Sequence, residues 1–104
     1  MSFESVELDR LRQVKAIVVI QLASTHAKRD ATFVPTKSPQ TERWHLNVRG
    51  KDFELLINDV RFYDTRAKKG GGGAIDLVMQ LFGLDFVGAM AEANHVRAAT
   101  RDLE

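Results

Sequence analysis

The 104-residue chain contains no cysteine, which excludes disulfides and thiolate-ligated zinc and fits a reducing compartment. It also has no excess of charge, since 15 basic side chains nearly cancel 14 acidic ones for a net charge of +1. Any attraction to a polyanion therefore has to come from local clustering. Long apolar runs are absent too. The longest, Ala16 to Ile20, falls far short of the roughly 20 residues a bilayer requires. Glu4, Glu7 and Asp9 occupy the place where a secretory signal needs positive charge. The chain reads as soluble, cytoplasmic and without a membrane partner. The two prolines, Pro35 and Pro39, fall in one polar segment, 26–41.

What is present suffices for a single domain with one modest core. Ser5 is a candidate N-cap, with Glu7 and Asp9 in the first turn, where the helix dipole favours acids. Leu8, Leu11, Val14, Ile17, Val18 and Leu22 follow at helical spacing, so one helix is predicted over 5–24, with a strand at 17–20 as the competitor. The polar segment reads as a loop with at most one brief edge strand, its only apolar pair being Phe33-Val34. Trp44, Leu46 and Val48 alternate with polar residues, as a half-buried strand requires. A turn at 50–52, a second strand at 53–57, a turn at Asn58-Asp59 and a third strand at 60–63 complete a three-stranded antiparallel meander. After four consecutive glycines, Gly70–Gly73, the stripe Ile75, Val78, Met79 and Phe82 predicts a helix ending at Gly83. Asp85 is placed to cap a last helix carrying Phe86, Met90, Ala93 and Val96 inward. The fold class is α+β, a small antiparallel sheet with one helix before it and two after.

Two motifs carry a resemblance. Phe62-Tyr63-Asp64 precedes a basic knuckle, and Gly72-Gly73-Ala74-Ile75-Asp76-Leu77-Val78-Met79 follows it, continuing to Gly83-Leu84-Asp85-Phe86. Together they resemble the end of the zinc-ribbon N-terminal domain of bacterial, plasmid and phage DNA primases. The resemblance is sharp over 60–90 and weaker upstream. It places the family's late cysteine pair at Thr65 and Lys68, and its early Cys/His pair near Arg43 and Leu46. None of these four is a zinc ligand, and His26, His45 and His95 are too scattered to substitute. A metal-free relative of the ribbon, without cofactor, is therefore expected. A structural zinc contributes roughly 10 kcal/mol in small fingers. An enlarged core has to offset its loss, at about 1.5–3 kcal/mol for each large apolar side chain buried.

The resemblance implies a nucleic-acid-binding module of a primase-like or mobile-element replication protein that contacts single-stranded template DNA. Such a module stands alone or forms the N-terminal part of a longer protein, with a primase or replication protein as partner. The residues themselves offer Arg49, Lys51, Arg61, Arg66, Lys68 and Lys69 for phosphates and Tyr63 for base stacking, the combination single-strand binding uses. Tyr63 points away from Phe62, so Phe62 and Trp44 are assigned to the core. The competing reading leaves the charges merely solvated. Gly71, Gly72 and Gly73 admit a tight turn with incidental backbone–phosphate contact, a hinge, or a phosphate cradle at a helix N-terminus. A nucleotide-binding P-loop is excluded because Ala74-Ile75 stands where Lys-Ser/Thr is needed. Asp76 reads as a helix-dipole partner. No carboxylate pair or activated serine suits catalysis, so the chain is not expected to be an enzyme. The alternative function is a protein–protein docking module that keeps the scaffold without binding DNA.

Overall fold

The computed structural model describes residues 5–85, 87–89 and 91, with side chains from residue 9 onward. Two helices, α1 (Ser5–Arg12) and α2 (Ala16–Ala23), precede five strands: β1 (His26–Arg29), β2 (Glu42–Val48), β3 (Lys51–Asn58), β4 (Arg61–Asp64) and β5 (Lys69–Gly72). Helix α3 (Ala74–Phe82) follows. The strands form one antiparallel sheet in chain order, β1-β2-β3-β4-β5. The helices contact one another and pack on one face of this sheet. The α+β class holds.

Alternation along the strands separates the faces. On β3, Phe53, Leu55 and Ile57 are buried while Glu54, Leu56 and Asn58 are only half-buried. Leu46 and Val48 join them from β2, and Phe62 from β4, beneath Leu11, Ala16, Val19, Ile20, Ile75, Leu77, Val78 and Leu81 of the helices. Trp44 packs half-buried against this core. The opposite, open face carries His45, Glu54, Leu56, Arg61 and Tyr63.

Three expectations are corrected. The predicted single helix over 5–24 is two. The chain breaks at 13–15, where the Gln13 and Val14 N–H groups reach back only three residues. The Ala16 N–H then donates to the Asp59 carbonyl in the β3–β4 turn at 2.7 Å. The break resets the helical phase, so Val19 and Ile20 are buried while Leu22 is 39% exposed. The sheet has five strands rather than the three of the meander: the brief edge strand allowed within 26–41 is β1 at 26–29, and the unexpected strand is β5, from the glycines. The turns are also displaced by about one residue. Arg49 (φ 52°) and Gly50 (φ 86°) form the two-residue β2–β3 turn, where positive φ at both positions matches the sheet's twist. Asp59 (φ 53°) and Val60 form the next. The α3 expectation holds, with Gly83 left-handed (φ 64°) at its end and its cap N–H bonded to the Met79 carbonyl. Asp85 caps as expected, its Oδ1 accepting the Gly88 N–H at 2.9 Å. Phe86, Met90, Ala93, Val96 and His95 lie outside the described residues.

Glycine is required in β5 by contact rather than flexibility. A Cβ at Gly71 would sit 3.0 Å from both the Asp76 Cβ and the Phe62 ring, whereas one at Gly72 meets nothing nearer than 4.0 Å. Gly71→Ala is therefore expected to destabilise the fold by about 1–3 kcal/mol through overpacking, and Gly72→Ala to be close to neutral. Denaturant unfolding of the two variants compares them directly; equal losses would refute the packing account.

Candidate nucleic-acid interface

The knuckle between β4 and β5 is built on one buried carboxylate. Asp64 is 2% exposed. Its Oδ1 accepts the Arg66 and Ala67 N–H groups (3.0 and 3.1 Å), and its Oδ2 accepts the Gln80 amide from α3 at 2.9 Å. The Lys68 N–H closes the turn on the Asp64 carbonyl at 2.8 Å, with Lys68 at φ 57°. Thr65 bonds to Glu54 through its backbone and its hydroxyl. Arg66 reaches the Asp52 carbonyl at 3.3 Å. The turn is thus pinned to the end of the sheet that also holds the β2–β3 hairpin. Among the described residues, no group of three or more His, Cys, Asp or Glu side chains is arranged to hold a metal ion.

The seven side chains singled out from the sequence do not share one surface. Arg61 and Tyr63 lie together on the open face, exposed on β4. Arg66 and Lys68 crown the knuckle. Lys69 pairs in register with Asp64 and lines a depression beside α3, on the helical side. Arg49 stands over the Phe82 ring at 4.5 Å, and the Lys51 ammonium lies 5.0 Å from the Phe53 ring centre. These last two serve the helix-side core margin, opposite Tyr63. Long cationic side chains commonly cover apolar edges in this way.

The glycines Gly71, Gly72 and Gly73, read as a tight turn with incidental phosphate contact, a hinge or a phosphate cradle, form strand β5 up to Gly72 instead of a turn, and two of their N–H groups have acceptors within the protein. The Gly72 N–H points to the Asp76 carboxylate (3.3 Å), and the Gly73 N–H donates to the Val60 carbonyl (2.7 Å). Gly71 is closed off by Asp76 and Phe62. The Asp76 carboxylate lies in the first turn of α3, beside this strand end. Asp76 fills the dipole role assigned to it.

The structure adds residues that the sequence did not single out. The loop 30–41 stands over the open face and is held at both ends. Asp30 Oδ2 accepts from Arg43 (2.8 and 2.9 Å) and lies 2.9 Å from His45 Nε2, while its Oδ1 accepts the Thr32 N–H and hydroxyl. At the far end Asn58 donates to Ser38 Oγ at 3.0 Å. The Arg43 guanidinium also faces the Phe33 ring at 5.1 Å. Between loop and sheet runs a groove of about 640 Å3 lined by Phe33, Pro35, Lys37, Leu56, Arg61 and Tyr63, among others, with no carboxylate in its walls. Only the period-two rule that exposes Tyr63 and Arg61 pointed toward it; the part played by Phe33 and Lys37 depends on how the loop folds back.

Two outcomes are expected. The Thr32 hydroxyl, followed by His45, holds the Asp30 carboxyl well below its ordinary value of 3.8. Because the folded value is depressed, this carboxylate contributes stability that is complete above the ordinary value and lost as pH falls from about 4 toward the folded value. Acid unfolding of Asp30→Asn should therefore be less steep below about pH 4 than that of the parent; identical acid limbs would refute the clamp. Asp64→Ala, which strands three donors, should cost on the order of 2–3 kcal/mol, whereas the parent's melting should not respond to a chelator.

No protein-family profile and no solved structure matches this chain. Over 39 residues, 38% of its length, the chain is 51% identical to a protein of Zymomonas mobilis named "65 kDa protein". The matched stretch spans 7% of that protein's length.

Proposed function

We propose that the chain is a nucleic-acid-binding module that engages single-stranded DNA through the open face of its sheet, and that it is not itself an enzyme. The observation that carries the reading is Tyr63. Tyr63 is 41% exposed on β4, while Phe53 and Phe62 are buried on the other face of the sheet. Tyr63 shares its face with Arg61; its partner on β5 is Gly70, so on that side no side chain stands beside the ring, while its partner on β3 is Leu56. Among the described residues no carboxylate forms an ion pair with Arg61 or Lys37 on this face, or with Lys68 at the knuckle. An exposed ring with unpaired cations around it suits stacked bases and a phosphate backbone.

The primase zinc-ribbon resemblance supports the same reading and adds the role of template contact beside a replication enzyme. The match to a small part of a longer protein fits a module of this kind. The docking alternative has weaker support. Among the described residues the exposed apolar side chains Leu22, Val34 and Val87 lie on separate elements, α2, loop 30–41 and the segment after α3.

Fluorescence anisotropy with a labelled single-stranded oligonucleotide tests the proposal. Affinity should fall with salt at a logarithmic slope of about −2 to −3, as three to four phosphate contacts require. Tyr63→Ala should weaken binding about tenfold, and Lys68→Ala should flatten the salt slope. An absence of binding at low salt would remove the DNA reading in favour of docking.

A further inference from the structure

We infer that the groove between loop 30–41 and strands β3 and β4 is a nucleotide site: it seats one unstacked base with its phosphate, rather than merely flanking a passing strand. The inference rests on the single-strand reading for its biological setting, but its chemistry stands on the groove alone.

Four observations converge. The first is size: about 640 Å3 lies within the roughly 300–1,000 Å3 typical of small-molecule sites. Composition is the second. The Phe33 and Tyr63 rings, Pro35 and Leu56 give apolar surface for a flat heterocycle, and Thr36, Thr41 and Asn58 add hydrogen-bonding groups at its margin. Third, the only charged side chains in the lining are the cations Lys37 and Arg61. A ligand that is apolar and flat in one part and anionic in another satisfies both halves, and a nucleoside monophosphate is such a molecule. A purely apolar ligand would leave the cations unused, and a bare phosphate would leave the rings unused.

The fourth observation is preorganisation. The loop wall does not have to form on binding, because Asp30 fixes one end through Arg43 and His45 while Asn58 fixes the other through Ser38. Arg43 in turn faces Phe33, so the salt bridge sets the position of the ring that walls the groove. A wall held before the ligand arrives spares the ordering cost that weakens binding by mobile loops. Beside Tyr63 the strand has no side chain at Gly70, where a Cβ would begin 3.3 Å from the Tyr63 Cδ1. The strand beside it leaves its ring face uncovered.

The source of the nucleotide, free or within a strand, is separated by experiment. The 15N-labelled chain is titrated with a nucleoside monophosphate, with inorganic phosphate, and with oligonucleotides with or without one abasic residue, in the parent, Lys37→Ala and Phe33→Leu. Both substitutions are at solvent-accessible loop positions, and a retained amide spectrum shows that the fold persists. The nucleoside monophosphate should shift amides of residues 36, 41, 56 and 63 and exceed inorganic phosphate in affinity, and each substitution should weaken it about five- to tenfold. An abasic oligonucleotide should lose a similar factor. Inorganic phosphate binding as well as the nucleotide, or shifts confined to the knuckle, would overturn the inference. Oligonucleotide binding indifferent to Lys37→Ala and to the abasic residue would also overturn it while leaving the single-strand reading intact. Groove shifts with the monophosphate but no oligonucleotide binding would sustain the nucleotide site and remove the single-strand reading.

Discussion

The open face owes its layout to the Asp64 carboxylate. It sits almost wholly out of water at the last position of β4, and satisfies two backbone N–H groups of the following turn and one side chain of α3. A buried carboxylate is tolerated only when its oxygens are well supplied with donors, and here three are aligned. This arrangement joins three elements at one point. It turns the chain back so that β5 can pair with β4, and it ties the knuckle to the helix packed beneath. It also fixes the phase of β4, which sends Phe62 and Asp64 inward and Arg61 and Tyr63 outward. The primase resemblance assigns Thr65 and Lys68, inside this same turn, to the positions of a cysteine pair. On that proposal, an aspartate with local hydrogen bonds and a helix contact performs the turn-closing work of a metal ion.

The glycine strand follows from the same constraint. Once Asp64 directs the chain back along β4, β5 must pass between the Phe62 ring and the start of α3, where Asp76 already stands. The clearances at Gly70 and Gly71 leave no room for a side chain on either face. At Gly73 the positive φ of 95° and the nearby Arg12 backbone add a conformational reason. A run that looks flexible in isolation is therefore an edge strand held by close contacts. Its thinness also matters to the proposed reading, because a side chain at Gly70 would crowd Tyr63.

This explains which features could be read from residues alone. Strands β2, β3 and β4 announced themselves by period-two alternation, and α3 by its apolar stripe and its glycine stop, since those patterns record one buried face. Strand β5 has no such record: Lys-Gly-Gly-Gly carries no apolar face and poor strand propensity, and it pairs because its neighbours demand it. The split between α1 and α2 was hidden for a related reason. The apolar spacing over 8–22 suits a continuous helix, and the break depends on the Asp59 carbonyl, more than forty residues away, capturing the Ala16 N–H. Tyr63 and Arg61 were legible because strand geometry alone sends them outward. Arg49 and Lys51 were grouped with them because nearness in sequence hides the face. The hairpin places them over aromatic rings on the other side, where Tyr63 cannot reach.

The division of cations between the two faces bears on what the molecule can recognise. With Arg49, Lys51 and Lys69 on the helical side, the open face is not a uniformly basic plate. Across β1 to β3 its charges are largely internal to the protein, since Asp30 and Glu54 face Arg43 and His45. Unbalanced positive charge remains at the groove, from Arg61 and Lys37, and at the knuckle, from Arg66 and Lys68. A polyanion lying flat across the whole sheet would meet carboxylates at its centre. A strand following β4 from the knuckle to the groove would meet cations at both ends and the Tyr63 ring between them. The same ion-pair network that neutralises the middle of the sheet also holds the loop upright as the wall of the groove. Confining the basic surface and building the recess are thus two consequences of one set of contacts, and both are what the proposed single-strand reading requires of this face.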